Sequence, residues 1–162
     1  MLRNFISDRL LENLDFQPTL GQEDLIRELG VFLASDDLLE IMLIKGYAGT
    51  GKTTLVKSLV KTLNFLKQKS VLLAPTGRAA KVLSAYSGHQ AWTIHKKIYR
   101  QKSGSDGLGD FVLDRNLHKN TCFIVDEASM IGDRSPDSFF GSGDLLRDLV
   151  DFVEAGTQCR LV

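Results

Sequence analysis

Two short runs carry residues whose types and spacing can do chemistry. Gly46-Tyr47-Ala48-Gly49-Thr50-Gly51-Lys52-Thr53 fits G-x-x-x-x-G-K-[ST] at every fixed position, between an apolar run and a helical one. Glycines in such a turn let successive backbone N–H groups converge on phosphate oxygens, and the following helix presents its positive end to the same anion. Lys52 would reach the β- and γ-phosphates of a nucleotide, and the Thr53 hydroxyl would bind Mg²⁺, with Thr54 completing the run. The second run is Cys122-Phe123-Ile124-Val125-Asp126-Glu127, four apolar residues followed by two carboxylates. Open α/β sheets bind ligands at the carboxyl ends of their strands. There Asp126 would hold Mg²⁺ through its water shell, and Glu127 would orient or deprotonate an attacking water. The two runs together predict Mg-dependent hydrolysis of a nucleoside triphosphate.

Gln22 has two readings. Its amide can donate and accept at once and so read an adenine, which would make the nucleotide ATP. Alternatively, Thr19-x-x-Gln22 spells a capping box at a helix start. A third run, Ala74-Pro75-Thr76-Gly77-Arg78-Ala79-Ala80-Lys81, is a strand-to-helix turn whose helix start is basic. It lies inside a stretch from Ile41 to Ser105 that holds ten lysines, two arginines and no Asp or Glu. The formal net charge of zero conceals this asymmetry, which points to a polyanionic partner. Some of these lysines (Lys57, Lys61, Lys67, Lys69) also read as the solvated face of a helix and its exit.

The elements that must position these runs follow from periodicity. Residues 1–18 lack a clear period, although Phe5, Leu10, Leu11 and Leu14 suit a short helix. Leu25, Ile26, Leu29, Phe32 and Leu33 share one face of a helix starting near Leu20. Glu40–Lys45 reads as a buried parallel strand, Leu55 to Leu66 as a long amphipathic helix, and Val71–Ala74 as a second strand. Ala79–Tyr86 reads as a helix ended by Gly88, and Thr93–Tyr99 as a short helical turn. Residues 101–120 form a polar excursion with a small hairpin expected around Phe111–Leu113. Thr121–Asp126 is a third strand, and a Gly/Ser/Pro loop covers Arg134–Gly143. Asp144 caps a helix with Leu145, Leu146, Leu149, Val150 and Val153 inside, and Cys159–Val162 is a fourth strand. Strands alternating with helices predict an α/β layered fold around a mainly parallel sheet.

The length suits one domain with a single core. No apolar run approaches a membrane span, and Arg3, Asp8 and Arg9 interrupt the N-terminal apolar residues where a signal peptide would be continuous. Cys122 and Cys159, each in a predicted strand, are expected to be reduced core residues, as suits a cytoplasmic protein.

GYAGTGKT, APTGRAAKVL, TIHKKIY and FIVDEASMI, in this order, resemble the RecD-like superfamily 1 DNA helicases over most of residues 19–162. The resemblance implies a P-loop NTPase, specifically the first RecA-like motor domain, a three-layer α/β/α fold that binds Mg-ATP. It matches Gln22 to the adenine-reading glutamine, and Lys52, Thr53, Asp126 and Glu127 to the phosphate, Mg²⁺ and catalytic residues. It assigns Pro75, Thr76, Gly77 and Arg78 to the loop that contacts the backbone of single-stranded DNA, and Thr93 and His95 to a second DNA-side segment. It further implies 5′-to-3′ unwinding. It suggests that the excursion at 101–120 corresponds to a strand-separating pin, although a simple loop fits equally. Trp92 has two readings, stacking on a base or packing under a loop. The family continues past the fourth strand with a Gly-Asp-x-x-Gln-Leu-Pro-Pro type segment and a second RecA-like domain carrying an arginine finger. Both lie beyond Val162, so the chain is expected to be a fragment that binds nucleotide weakly and does not unwind DNA alone. Competing readings are a non-translocating P-loop ATPase, a nucleotide-dependent DNA-binding module, and a P-loop kinase. The last lacks the arginine cluster expected after Asp126-Glu127.

Overall fold

The structure is a computed structural model that describes residues 1–35, 41–102, 111–132 and 139–162. Six α-helices are described: α1 (Leu2–Glu12), α2 (Leu20–Ala34), α3 (Lys52–Phe65), α4 (Gly77–Ser87), α5 (Ile94–Ile98) and α6 (Leu145–Glu154). The strands are β1 (Lys69–Ala74), β2 (Ala91–Thr93), β3 (Tyr99–Gln101), β4 (Phe111–Leu113), β5 (Thr121–Val125) and β6 (Arg160–Leu161).

A four-stranded parallel sheet runs in the order β2-β1-β5-β6, and Ile41 adds a parallel bridge to Leu161 on the outer side of β6. Helices cover both faces, as the layered fold requires. On one face Leu72, Ala74, Cys122 and Ile124 pack against α1–α4; on the other Leu73 and Phe123 pack against α5 and α6. The alternation follows from the period of two along each strand. Cys122 and Cys159 are free and buried, and desolvation pushes the Cys122 thiol up to about 12.

Two expectations need correction. Glu40 lies outside the described residues, and the predicted Glu40–Lys45 strand is a single bridge at Ile41 followed by one hydrogen bond from the Met42 amide to the Leu161 carbonyl. Ile41 and Leu43 are exposed while Met42 and Ile44 pack on the core, so the run is buried on one face only. Second, Leu146 points to solvent on α6. The helical turn expected at Thr93–Tyr99 is present as α5, which Thr93 caps, and Thr93 also ends β2, a strand hidden because three residues are too few to show a period. The hairpin expected near Phe111–Leu113 pairs that strand with Tyr99–Gln101. Residues 103–110 of the excursion and 133–138 of the Gly/Ser/Pro loop lie outside the described residues. Among the described residues, no helix is long and apolar enough to cross a membrane.

Residues 1–12 belong to the same packed body. The Ser58 hydroxyl of α3 donates to the Leu10 carbonyl at 2.6 Å, and the Asn13 amide donates to Thr62 Oγ1 at 3.0 Å. Asp15 pairs with Lys57 at 3.0 Å and Lys61 at 3.8 Å, so these two lysines of the acid-free stretch have a structural use.

On the opposite face the buried Asp148 joins three segments. Its carboxylate accepts from the Tyr99 hydroxyl at 2.6 Å and from the Ser142 amide at 2.9 Å, tying β3 and the loop before α6 to that helix. Burial opposes its charge, but the hydrogen bonds from Tyr99 and Ser142 prevail and hold its pKa below the ordinary 3.8. A carboxylate more acidic when folded stabilises fully above its unfolded pKa and loses that contribution as pH falls through the folded value. Asp148→Asn is therefore expected to lower stability at pH 7 by about 1–3 kcal/mol in urea titrations. It should also flatten the decline of stability below the ordinary carboxylate range; a decline as steep as that of the parent chain would contradict this assignment.

Candidate functional site

The run from Gly46 to Thr53 wraps the start of α3. Gly49 (φ 77°) and Gly51 (φ 84°) are both left-handed, a conformation that strains any side chain. At Gly51 an added Cβ would also meet Gln22 Nε2 at 3.0 Å, so that side chain would have to give way as well. The Lys52 ammonium donates to the Gly46 carbonyl at 2.6 Å and the Tyr47 carbonyl at 2.8 Å. The Thr50 hydroxyl donates to the Tyr47 carbonyl at 2.8 Å, bracing the turn from within. Ala48 lies at the turn's exposed tip, and Thr53 and Thr54 sit in the first turn of α3.

Gln22 connects this turn to α2. The capping box expected from Thr19 and Gln22 is present: Gln22 Oε1 accepts from the Thr19 amide at 2.9 Å, and the Thr19 hydroxyl accepts from the Gln22 amide. The same side chain's Nε2 donates to the Thr50 carbonyl at 3.0 Å. Both ends of its amide are thus engaged within the protein.

A cavity of about 610 Å³ opens between these elements, with the phosphate turn on one side and Leu14, Phe16, Leu25 and Ile44 on the other. Its lining joins the Gly46–Lys52 turn at one end to an apolar wall at the other. This apolar wall, and Phe16 in particular, is not evident from the sequence. Its one signal is that Phe16-x-Pro18 directly precedes the capping box.

The carboxylates stand where β5 ends. The Asp126 amide donates to the Leu73 carbonyl at 3.0 Å, and the Asp126 Oδ1 accepts from the Glu127 amide at 2.9 Å. Glu127 adopts a left-handed conformation (φ 58°), turns the chain into the 3₁₀ segment Ala128–Met130, and is exposed. A hydroxyl at Thr53 and one carboxylate at Asp126 suit Mg²⁺, which keeps several waters and takes few protein ligands beside substrate phosphates.

One strand further on, Pro75 to Arg78 leave β1. The Thr76 hydroxyl caps α4 by accepting from the Ala79 amide at 3.2 Å, while the amides of Gly77 and Arg78 head the helix. Arg78 is exposed and makes no ion pair among the described residues. Thr93 pairs with Ala74 and caps α5 by accepting from the Lys96 amide at 3.2 Å. His95 packs against Phe140 and Tyr99 at ring distances of 5.0 and 5.8 Å, and burial lowers its pKa. It therefore brings an aromatic edge, not a charge, to this end of the sheet at neutral pH.

A Gly-Lys-Thr turn before a helix, paired with a strand ending in Asp-Glu on a parallel sheet with helices on both faces, defines a P-loop NTPase. The chain belongs to the AAA domain family, whose profile matches residues 19–158. It is 49% identical over 90 residues to the ATP-dependent DNA helicase dda of Enterobacteria phage T4, a match covering 54% of this chain and 20% of that protein. It is 33% identical over 93 residues to the ATP-dependent RecD2 DNA helicase of Deinococcus radiodurans, covering 57% and 12%. It is 34% identical over 97 residues to the multifunctional conjugation protein TraI of Escherichia coli, covering 55% and 5%. The matches thus span a fifth or less of these relatives.

Because Gln22 bridges Thr19 and Thr50, Gln22→Ala is expected to lower the stability of the nucleotide-free chain by about 1 kcal/mol and to weaken nucleotide binding as well. Weakened binding with unchanged thermal stability would show that Gln22 serves the nucleotide alone.

Proposed function

We propose that the chain is the N-terminal motor domain of an ATP-dependent 5′-to-3′ DNA helicase, binding Mg-ATP and single-stranded DNA at one end of its sheet. The observation that carries this reading is the strand order. Across the carboxyl end lie the phosphate turn, the end of β6, Asp126-Glu127, the Pro75–Arg78 turn and Thr93, in that order. The carboxylate pair therefore stands between the nucleotide turn and the basic turn, where hydrolysis can act on both. The similarity to the helicases named above supports the same assignment.

In this reading Phe16 and Gln22 face the adenine, whose recognition requires Gln22 to exchange one of its internal hydrogen bonds for the base. The P-loop amides and Lys52 hold the phosphates, and the Lys52 ammonium moves from the Gly46 and Tyr47 carbonyls onto them. Thr53 and Asp126 would hold Mg²⁺, which would neutralise phosphate charge. Glu127, free of ion pairs among the described residues, orients the attacking water and takes its proton. Pro75 to Arg78, with Thr93 and His95, track the DNA backbone through amides and a guanidinium.

Glu127→Gln should lower ATP turnover by about 10²–10⁴-fold while leaving ATP affinity unchanged. Unchanged turnover would favour a nucleotide-dependent DNA tether in place of a hydrolase. Arg78→Ala should weaken single-stranded DNA binding, with a shallower salt dependence, and spare nucleotide affinity. Loss of nucleotide binding instead would assign that turn to the ATP site.

A further inference from the structure

Trp92 is the chain's only tryptophan, and it stands on β2, the outer strand of the sheet. Its neighbours Ala91 and Thr93 turn towards the α4 face, whereas Trp92 lies alongside Leu73 on the α5 face. Leu73 is fully buried, yet Trp92 remains 37% exposed, because no further strand of the described sheet covers that side. The Lys96 ammonium sits 4.9 Å from the centre of its ring. Both residues lie within the acid-free stretch, and neither Lys96 nor the nearby Lys97 makes an ion pair among the described residues.

An exposed indole with an ammonium over its ring, and no carboxylate paired with that ammonium among the described residues, matches the two halves of a nucleotide. The π-face takes a base as the Lys96 ammonium swings from over the ring onto the adjoining phosphate. The register places this pair next to the backbone-contacting turn, since Trp92 precedes Thr93 and Thr93 pairs with Ala74, the residue before Pro75. A strand following Arg78 and Thr93 along the sheet end thus meets an aromatic surface at the outer strand. Resting on the single-stranded DNA reading above, we infer that Trp92 and Lys96 form a base-stacking site for one unpaired nucleotide. It provides a contact to bases beside a turn that touches only backbone.

Tryptophan emission reports on this residue alone. The full chain is titrated with an oligothymidylate and with an abasic oligomer of equal length, each end-labelled so that anisotropy follows binding independently of the indole. Oligothymidylate should quench the emission and bind more tightly, while the abasic strand should bind without quenching. Trp92→Ala should weaken oligothymidylate binding by about 5- to 150-fold, leave abasic binding and ATP affinity unchanged, and Trp92→Phe should restore most of the loss. Oligothymidylate binding without quenching, equal quenching by both strands, or an unaffected Trp92→Ala variant would overturn the stacking site and leave the DNA reading standing. Binding of neither strand would overturn both.

Discussion

Everything at the carboxyl end of the sheet hangs on the parallel register between β1 and β5. That register pairs Leu73 with Val125, and the hydrogen bond from the Asp126 amide to the Leu73 carbonyl fixes where the ladder stops. One residue later on β5 the carboxylates begin, and two residues later on β1 the turn to α4 begins. A shift of one residue would exchange the faces of Phe123 and Ile124, moving each into the wrong core. The packing of both faces therefore locks the relative heights of the carboxylates and the basic turn. The site's geometry is a consequence of core packing.

The nucleotide end has its own support, and it comes from residues ahead of the phosphate turn. α1 docks closely on α2 at Gly30, where the Ser7 hydroxyl and the Arg3 carbonyl leave no room for a Cβ. α1 also reaches α3 through Leu10–Ser58 and Asn13–Thr62. The chain then runs past Leu14 and Phe16 into the capping box. The Thr54 and Tyr86 hydroxyls lie 2.8 Å apart, connecting the first turn of α3 to the last turn of α4. The P-loop helix and the helix that starts at the basic turn are thus in direct contact.

The parts of this site that were legible in the sequence are those where chemistry demands fixed spacing. The phosphate turn needs its glycines and its Gly-Lys-Thr, and a strand that delivers carboxylates must be apolar up to its last residue. Caps at Thr19 and Asp144 were legible for the same reason, since one hydroxyl or carboxylate must stand three residues before the amide it accepts from. What stayed hidden was decided by neighbours in space. Ile41–Ile44 has the composition of a buried strand, but it meets a partner at Leu161 only and is covered on one side. β2 is too short to show a period, and the apolar wall at Leu14 and Phe16 draws on residues that are unremarkable until α1 folds them against the P-loop. Gln22 invited a choice between a cap and a nucleotide contact; the structure shows the cap and adds a hydrogen bond to Thr50.

In the proposed function, nucleotide and single-stranded DNA occupy neighbouring parts of one sheet end, separated by Asp126 and Glu127. Backbone amide chemical-shift mapping of the labelled chain, titrated separately with Mg-nucleotide and with an oligothymidylate, tests it most directly. Nucleotide should shift residues 46–54 together with 14–22. DNA should shift residues 75–79 and 91–97, and only the segment from Asp126 to Ile131 should respond to both. DNA-induced shifts centred on the phosphate turn, or on the amino ends of β1 and β5, would contradict it.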